Sequence, residues 1–149
     1  MEYVTLDEFT LTGIGIRTSN KAEMDPEKAG IGKLWQAAGQ TLESAGITPG
    51  GVFGAYHNYA SDENGEYDVT AGTREAFPGE NTRSVTVPSG TYIKFSRSGP
   101  PMEAAMAAWQ EAWAYFQQPD SEERSFVCDL EAYSGTDTLE LFIGVIKKD

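Results

Sequence analysis

Cysteine and histidine are almost absent from this sequence: Cys128 and His57 are the only ones among 149 residues. A single thiol excludes an intramolecular disulfide, and Cys128 stands in an apolar segment, where cysteine usually packs as a small hydrophobic side chain. No CxxC, HxxxH or calcium-loop string occurs, so the sequence predicts no metal site. No GxSxG string marks a nucleophilic serine.

Basic residues are also scarce, with 11 Lys and Arg against 23 Asp and Glu and a net charge of −12. Such a chain repels a phosphate backbone, so we expect no direct nucleic-acid binding. No apolar run approaches the roughly 20 residues of a membrane-spanning helix. The N-terminus MEYVTLDEFT lacks the basic and apolar regions of a secretory signal. We therefore expect no membrane partner and a cytoplasmic location.

What the sequence does contain is typical of a folded globule: 40% hydrophobic and 11% aromatic residues. Its length is that of one ordinary domain, so we expect a single domain over 1–149. Hydrophobic periodicity predicts strands at 3–18, 52–59, 67–72, 85–87, 91–96, 125–133 and 139–146, and helices at 31–42 and 102–116. This order is βαββ twice.

The two predicted halves, about 1–76 and 82–149, show weak ordered self-similarity. Leu34-Trp35 aligns with Ala112-Trp113, and Gly72 aligns with Gly144. The sequence thus predicts an α+β fold in which duplicated βαββ halves form one antiparallel sheet. Two helices cover one face, and the other face is left as a ligand groove. Helical spacing assigns Leu34, Trp35, Met106 and Phe116 to the ordinary core.

The segment SFVCDLEAY has the pattern of a strand, yet it carries two carboxylates. Strand alternation places Phe126, Cys128, Leu130 and Ala132 on the core side, and Val127, Asp129, Glu131 and Tyr133 on the other. Carboxylates beside aromatic rings suit a flat cationic ligand. The alternative is an ordinary solvated face of an antiparallel sheet.

Alternation along the other strands extends this predicted ligand face. It adds Tyr56, Asn58, Tyr92 and Phe142 to Asp129, Glu131 and Tyr133. His57 is predicted on the helix-facing side with Phe53 and Ala55, as a structural residue.

Several motifs together resemble a known family. They are IRTSN, IGKLW, AYHNYASDENGEYDVTAG, VTVPSGTYIKF, the Trp109 and Trp113 helix, DLEAY and LFIGV. In this order, over 3–146, the chain resembles the gyrase-inhibitor-like small-molecule-binding domains, and within them the integron-associated effector-binding proteins.

The resemblance implies a groove between two βαββ halves that binds cationic, amphipathic aromatic compounds. It places the anionic centre on Glu131 with Tyr133, whereas Asp129 falls on a more variable position. It places aromatic walls at Tyr56, Asn58, Tyr59 and Tyr92, and it puts Trp109 and Trp113 either at the groove floor or in the core. Haem-binding relatives raise the question of His57 as an axial ligand, but no second ligand pattern accompanies it, so no cofactor is expected.

The resemblance leaves three functions open. The first is effector or drug binding, for sequestration or for sensing in transcription regulation, with no catalytic residue. The second is hydrolysis of strained electrophilic toxins, with Glu131 as general base. The third is inhibition of a basic protein partner by the acidic surface. The sequence is compatible with a monomer or a homodimer.

Overall fold

The computed structural model describes residues 1–46, 51–75, 77–79, 81–134 and 137–146. Eleven elements follow one another in this part of the chain. They are β1 (Glu2–Leu6), β2 (Phe9–Ser19), α1 (Asn20–Glu23), α2 (Ile31–Ser44), β3 (Val52–His57), β4 (Glu66–Thr73), β5 (Arg83–Val87), β6 (Gly90–Ser98), α3 (Pro101–Phe116), β7 (Glu123–Ser134) and β8 (Thr138–Ile146). None of these helices combines the length and apolar character needed to cross a membrane.

All eight strands form one antiparallel sheet in the order β1-β6-β8-β7-β3-β4-β2-β5. Each strand has a counterpart in the other half: β1 and β5, β2 and β6, β3 and β7, β4 and β8. When the counterparts are exchanged, the same strand order is obtained, read from the opposite edge of the sheet. The sheet therefore has a pseudo-twofold axis between β3 and β7. The predicted α+β class with duplicated βαββ halves is confirmed.

The predicted strand 3–18 is in fact two strands with different partners. The first, β1, pairs with β6 of the second half, whereas β2 pairs with β4 and β5. The two halves thus exchange their first strands across the sheet. The chain must break at Asp7 and Glu8 because it leaves one edge of the sheet and joins the other.

Helices α2 and α3 pack on the same face of the sheet. Helix α2 buries Leu34, Ala38 and Leu42, and α3 buries Ala104, Ala108 and Ala112 at the same three helical positions. The counterpart of Leu34 is therefore Ala104. The sequence analysis had aligned Leu34 with Ala112, which lies about two helical turns further along α3. The smaller alanines let α3 lie close to the sheet over Ile93, Phe95 and Leu141.

The face away from the helices is closed by an apolar cluster. This cluster joins residues near both edges of the sheet, such as Leu11 and Val87 at one edge and Leu6 and Tyr92 at the other. Their contact requires the sheet to curl towards that side. The groove predicted on this face is therefore replaced by a second core, and the space for a ligand lies between the helices.

Candidate ligand-binding site

A cavity of about 1340 Å³ lies between α2 and α3, above the central strands β3 and β7. Its wall is unusually aromatic. The rings that line it are Trp35, Tyr56, Tyr59, Tyr67, Trp109, Trp113, Phe116, Phe126 and Tyr133. All three tryptophans of the sequence belong to this set.

The pseudo-twofold axis explains why the cavity is central. In the pairing of β3 with β7, Tyr56 lies opposite Asp129 and Gly54 lies opposite Glu131. When the hairpins β3–β4 and β7–β8 are aligned on Gly72 and Gly144, Tyr56 superposes on Glu131. These two side chains approach the axis from opposite strands and meet there.

Glu131 is 2% exposed and points towards the helices. Its Oε2 accepts hydrogen bonds from Trp109 Nε1 at 2.7 Å and from Tyr56 Oη at 3.2 Å. Its Oε1 accepts one from Tyr133 Oη at 3.4 Å. Across the residues that the structure describes, no Lys, Arg or His nitrogen lies within 4 Å of it. The carboxylate accepts hydrogen bonds from neutral donors and has no countercharge within the described part of the chain.

Burial raises the pKa of Glu131 to about 7, and the hydrogen bonds from Trp109, Tyr56 and Tyr133 oppose this rise. Burial also raises the pKa of Tyr56 well above its ordinary value, so its hydroxyl remains a donor. A positive charge entering the cavity would stabilise the ionised form of Glu131.

Trp35 packs against the core cluster, as helical spacing predicted, and it also lines the cavity beside this carboxylate. Its ring contacts Tyr133 edge-on, with centroids 5.0 Å apart. It can approach the sheet because residue 54 is glycine: a Cβ there would lie 2.7 Å from Trp35 Cζ2 and 3.0 Å from Glu131 Oε1. The strand pattern gives no signal for this contact, because it depends on how α2 is placed over β3.

Asp129 shares the face of Glu131 but has different neighbours. Its Oδ2 accepts from Arg124 Nη2 at 2.7 Å and from the Tyr59 hydroxyl, and its Oδ1 accepts from the Gly144 amide at 3.0 Å. Arg124 reaches it from a bulge in which residues 125–128 oppose Gly144 alone, and Phe126 there has φ 53°. Asp129 is therefore a neutralised structural carboxylate.

The other predicted site residues divide between the two faces. Tyr56, Tyr59, Trp109, Trp113 and Tyr133 line the cavity around Glu131.

Asn58, Tyr92 and Phe142 do not line it. Asn58 is exposed and donates to Asp68 at 3.0 Å. Tyr92 and Phe142 belong to the apolar cluster on the opposite face. The sequence prediction combined residues of both faces because alternation orders residues within one strand but does not relate the strands to one another.

The cavity mouth contains residues that the sequence analysis did not select as ligand residues. Met24, Met102 and Met106 line it and are 85%, 83% and 64% exposed. Met106 was predicted as core from its helical spacing. It lies on a second stripe of α3, beside the alanine stripe that contacts the sheet.

His57 lies on the face opposite the cavity, contrary to its predicted helix-facing position, and its Nε2 is 2.9 Å from Thr70 Oγ1. No group of three or more His, Cys, Asp or Glu side chains with metal-binding geometry is found within the described ranges.

The fold and cavity define a duplicated βαββ domain with an internal site suited to small molecules. Residues 2–145 match the family model described as integron-associated effector binding protein. The chain belongs to this effector-binding family, as the sequence resemblance predicted.

Three similar proteins place the chain more closely. The Vibrio cholerae integron cassette protein VCH_CASS2 is 32% identical, with a TM-score of 0.89 over 97% of this chain and 95% of that one. YobU of Bacillus subtilis (strain 168), named for a role in transcriptional regulation, is 30% identical over 138 residues, 86% of this chain and 82% of YobU. SAV2435, whose structure is a complex with tetraphenylphosphonium, shares the fold at 17% identity, with a TM-score of 0.73 over 97% and 93% of the two chains.

Proposed function

We propose that this protein binds amphipathic aromatic cations in the cavity between α2 and α3, with Glu131 as the anionic centre. The observation that carries the proposal is the buried Glu131 carboxylate, which has three neutral donors and no countercharge among the residues that the structure describes. An unpaired buried charge is costly, and a ligand cation beside it would remove part of that cost.

The walls of the cavity support the same ligand class. Tyr56 and Trp109 pack edge-on with centroids 5.1 Å apart, and Trp109 packs on Trp113 at 5.9 Å. Aromatic faces attract cations and stack on flat rings without requiring a fixed hydrogen-bond pattern. The ligand of SAV2435, an aromatic cation, is of this kind. The biological role we propose is sequestration or sensing of such compounds.

The test compares a cation with a neutral molecule of similar shape. Methyltriphenylphosphonium and triphenylphosphine oxide are titrated into the native protein and into Glu131→Gln, and tryptophan fluorescence is followed. We expect Glu131→Gln to weaken binding of the cation by about 1–3 kcal/mol, the usual cost of removing one charge partner in a desolvated site. The neutral compound should lose far less affinity.

Glu140→Gln is the matched control, because it removes the same charge from the opposite face, where Glu140 pairs with Lys94. It should leave both affinities unchanged. Equal losses for cation and neutral compound in Glu131→Gln would assign a structural role to Glu131 and reject the proposal.

The pKa of Glu131 favours a second candidate function, hydrolysis of an electrophilic small molecule. A carboxyl group with a pKa of about 7 in an apolar cavity can accept a proton from water near neutral pH. Incubation with strained electrophiles, followed by product mass, tests this. Turnover that disappears in Glu131→Gln supports an enzyme, whereas saturable quenching without product supports binding alone.

A further inference from the structure

The mouth of the cavity contains two methionine side chains, Met102 and Met106, that do not pack into the core. Met102, Met106, Trp109 and Trp113 follow one another on one side of α3, within a span of about 17 Å for the eleven steps from residue 102 to residue 113. Exposure rises outward from the half-buried Trp109 to Met106 and then Met102. Water-exposed thioethers on this scale contribute nothing to the core.

The opposing wall, on α2, is formed partly by glycine. Gly32 and Gly39 line the cavity at the positions equivalent to Met102 and Trp109 in α3. A Cβ at either glycine would meet no atom within 4 Å, and neither has a positive φ. Glycine in a helix interior costs about 0.5–1 kcal/mol relative to alanine. Neither packing nor backbone geometry requires glycine at these positions. Their effect is to leave open space along the α2 wall of the cavity.

These two walls continue directly from the Glu131 centre, so one ligand can contact both. Resting on the function proposed above, we infer that the mouth is an outer subsite for the apolar tail of an amphiphilic cation, between the Met102–Met106 stripe of α3 and the part of α2 that carries Gly39. The cationic head lies at Glu131 and the tail extends along the groove. Methionine suits this role because its unbranched thioether adapts to tails of different shape.

Charge complementarity favours a cationic amphiphile over an anionic one. The side chains that line the cavity include the acidic Glu23, Glu63 and Asp137 besides Glu131. Among the described residues that line it, Arg124 is the one basic residue, and it is paired with Asp129. A fatty acid or other anionic amphiphile would place its charge against this set.

The experiment uses alkyltriphenylphosphonium salts that share one head and carry methyl, butyl, octyl or dodecyl tails, below their micelle concentrations. For the native protein we expect affinity to rise with tail length by roughly fourfold for each methylene that is buried, reaching at least tenfold between methyl and octyl. In Met102→Gln/Met106→Gln this rise should flatten, with the affinity of the methyl compound retained.

Gly39→Leu tests the opposite wall by filling the space sterically. It should reduce octyl and dodecyl binding more than methyl binding. Ile146→Gln is the matched control, because Ile146 is 52% exposed and lies outside the cavity. It should keep the full dependence on tail length.

A rise with tail length that persists unchanged in the methionine and Gly39 variants would place the tail elsewhere and overturn the inference. So would a native dimer that dissociates in Met102→Gln/Met106→Gln by sedimentation, since the stripe would then be an interface between copies. Failure of the proposed function looks different: the methyl compound itself would not bind, or would bind equally well to Glu131→Gln.

Discussion

At the scale of a single residue, the binding role that we propose for Glu131 is linked to the stability of the fold. The carboxyl group is held in a cavity that raises its pKa from an ordinary value of 4.5 to about 7. The folded state therefore binds the proton more tightly than the unfolded chain does. Loss of that proton at neutral and higher pH lowers the free energy of unfolding, unless a cation takes its place beside the carboxylate.

This difference predicts how stability depends on pH. Between pH 4.5 and 7 the folded state holds the extra proton, so the contribution of Glu131 falls as pH rises, and it is constant above 7. We expect Glu131→Gln to be more stable than the native protein at pH 8, by up to about 3 kcal/mol, and equally stable at pH 4. Urea unfolding of both proteins at several pH values measures this, and a gain that does not depend on pH would contradict it.

Asp129 shows why two carboxylates on one strand face differ in role. Arg124 pairs with it, and the Gly144 amide and the Tyr59 hydroxyl also donate hydrogen bonds to it. Glu131, two residues further on, receives hydrogen bonds from Trp109, Tyr56 and Tyr133. The protein thus supplies its own cation to the first carboxylate and, among the residues that the structure describes, none to the second.

At the scale of elements, the cavity depends on an asymmetry between two equivalent helices. Helix α3 buries alanines against the sheet and presents Trp109 to Glu131, whereas α2 buries Leu34 and Leu42 and carries Gly39 at the equivalent position. Large residues on one wall and glycines on the other leave a groove between helices that would otherwise close over the sheet.

Strand β3 contributes to the same groove through Gly54. Gly54→Ala would place a methyl group 2.7 Å from Trp35 Cζ2, so the indole must move away from the sheet. We expect a loss of about 1–3 kcal/mol in the free energy of unfolding, as for other overpacked sites, together with weaker binding of methyltriphenylphosphonium.

Gly51→Ala serves as the control for this variant. Its added methyl group would meet its nearest atom, in Phe53, at 3.6 Å, which is an ordinary contact. Stability and affinity should both be close to native. If Gly54→Ala behaves in the same way, the approach of Trp35 to Glu131 does not depend on the glycine.

At the scale of the whole molecule, the exchange of first strands joins the two halves into one unit. Strand β1 completes the second half, and β5 completes the first. The cluster on the curled face combines residues of both, including Leu6 and Leu11. Neither half retains its full sheet or its core without the other.

This arrangement predicts a single cooperative unfolding transition. Tryptophan fluorescence reports the cavity, and far-ultraviolet circular dichroism reports the sheet and helices, so the two urea curves should coincide. Leu11→Ala, at a fully buried position, should shift both curves together by about 2–5 kcal/mol. Two separated transitions would show that the halves fold independently.

Much of this structure was predictable from local patterns. The βαββ order followed from alternation and helical spacing. The strand pattern and the family resemblance selected Glu131 and Tyr133, and both line the cavity. The places where prediction failed are specific. Met106 was assigned to the core, Tyr92 and Phe142 were assigned to the face of Glu131, and the strand over 3–18 was not divided.

These failures have one physical cause. The sequence determines which residues form each element and which of them share a side of it, because both properties repeat along the chain with a fixed period. It does not determine which side of the sheet receives the helices, since that depends on the curl of the sheet and on which strands pair across the two halves. Only the tertiary structure, in which the exchanged strands close one face and leave the other to α2 and α3, placed Glu131 beneath the helices.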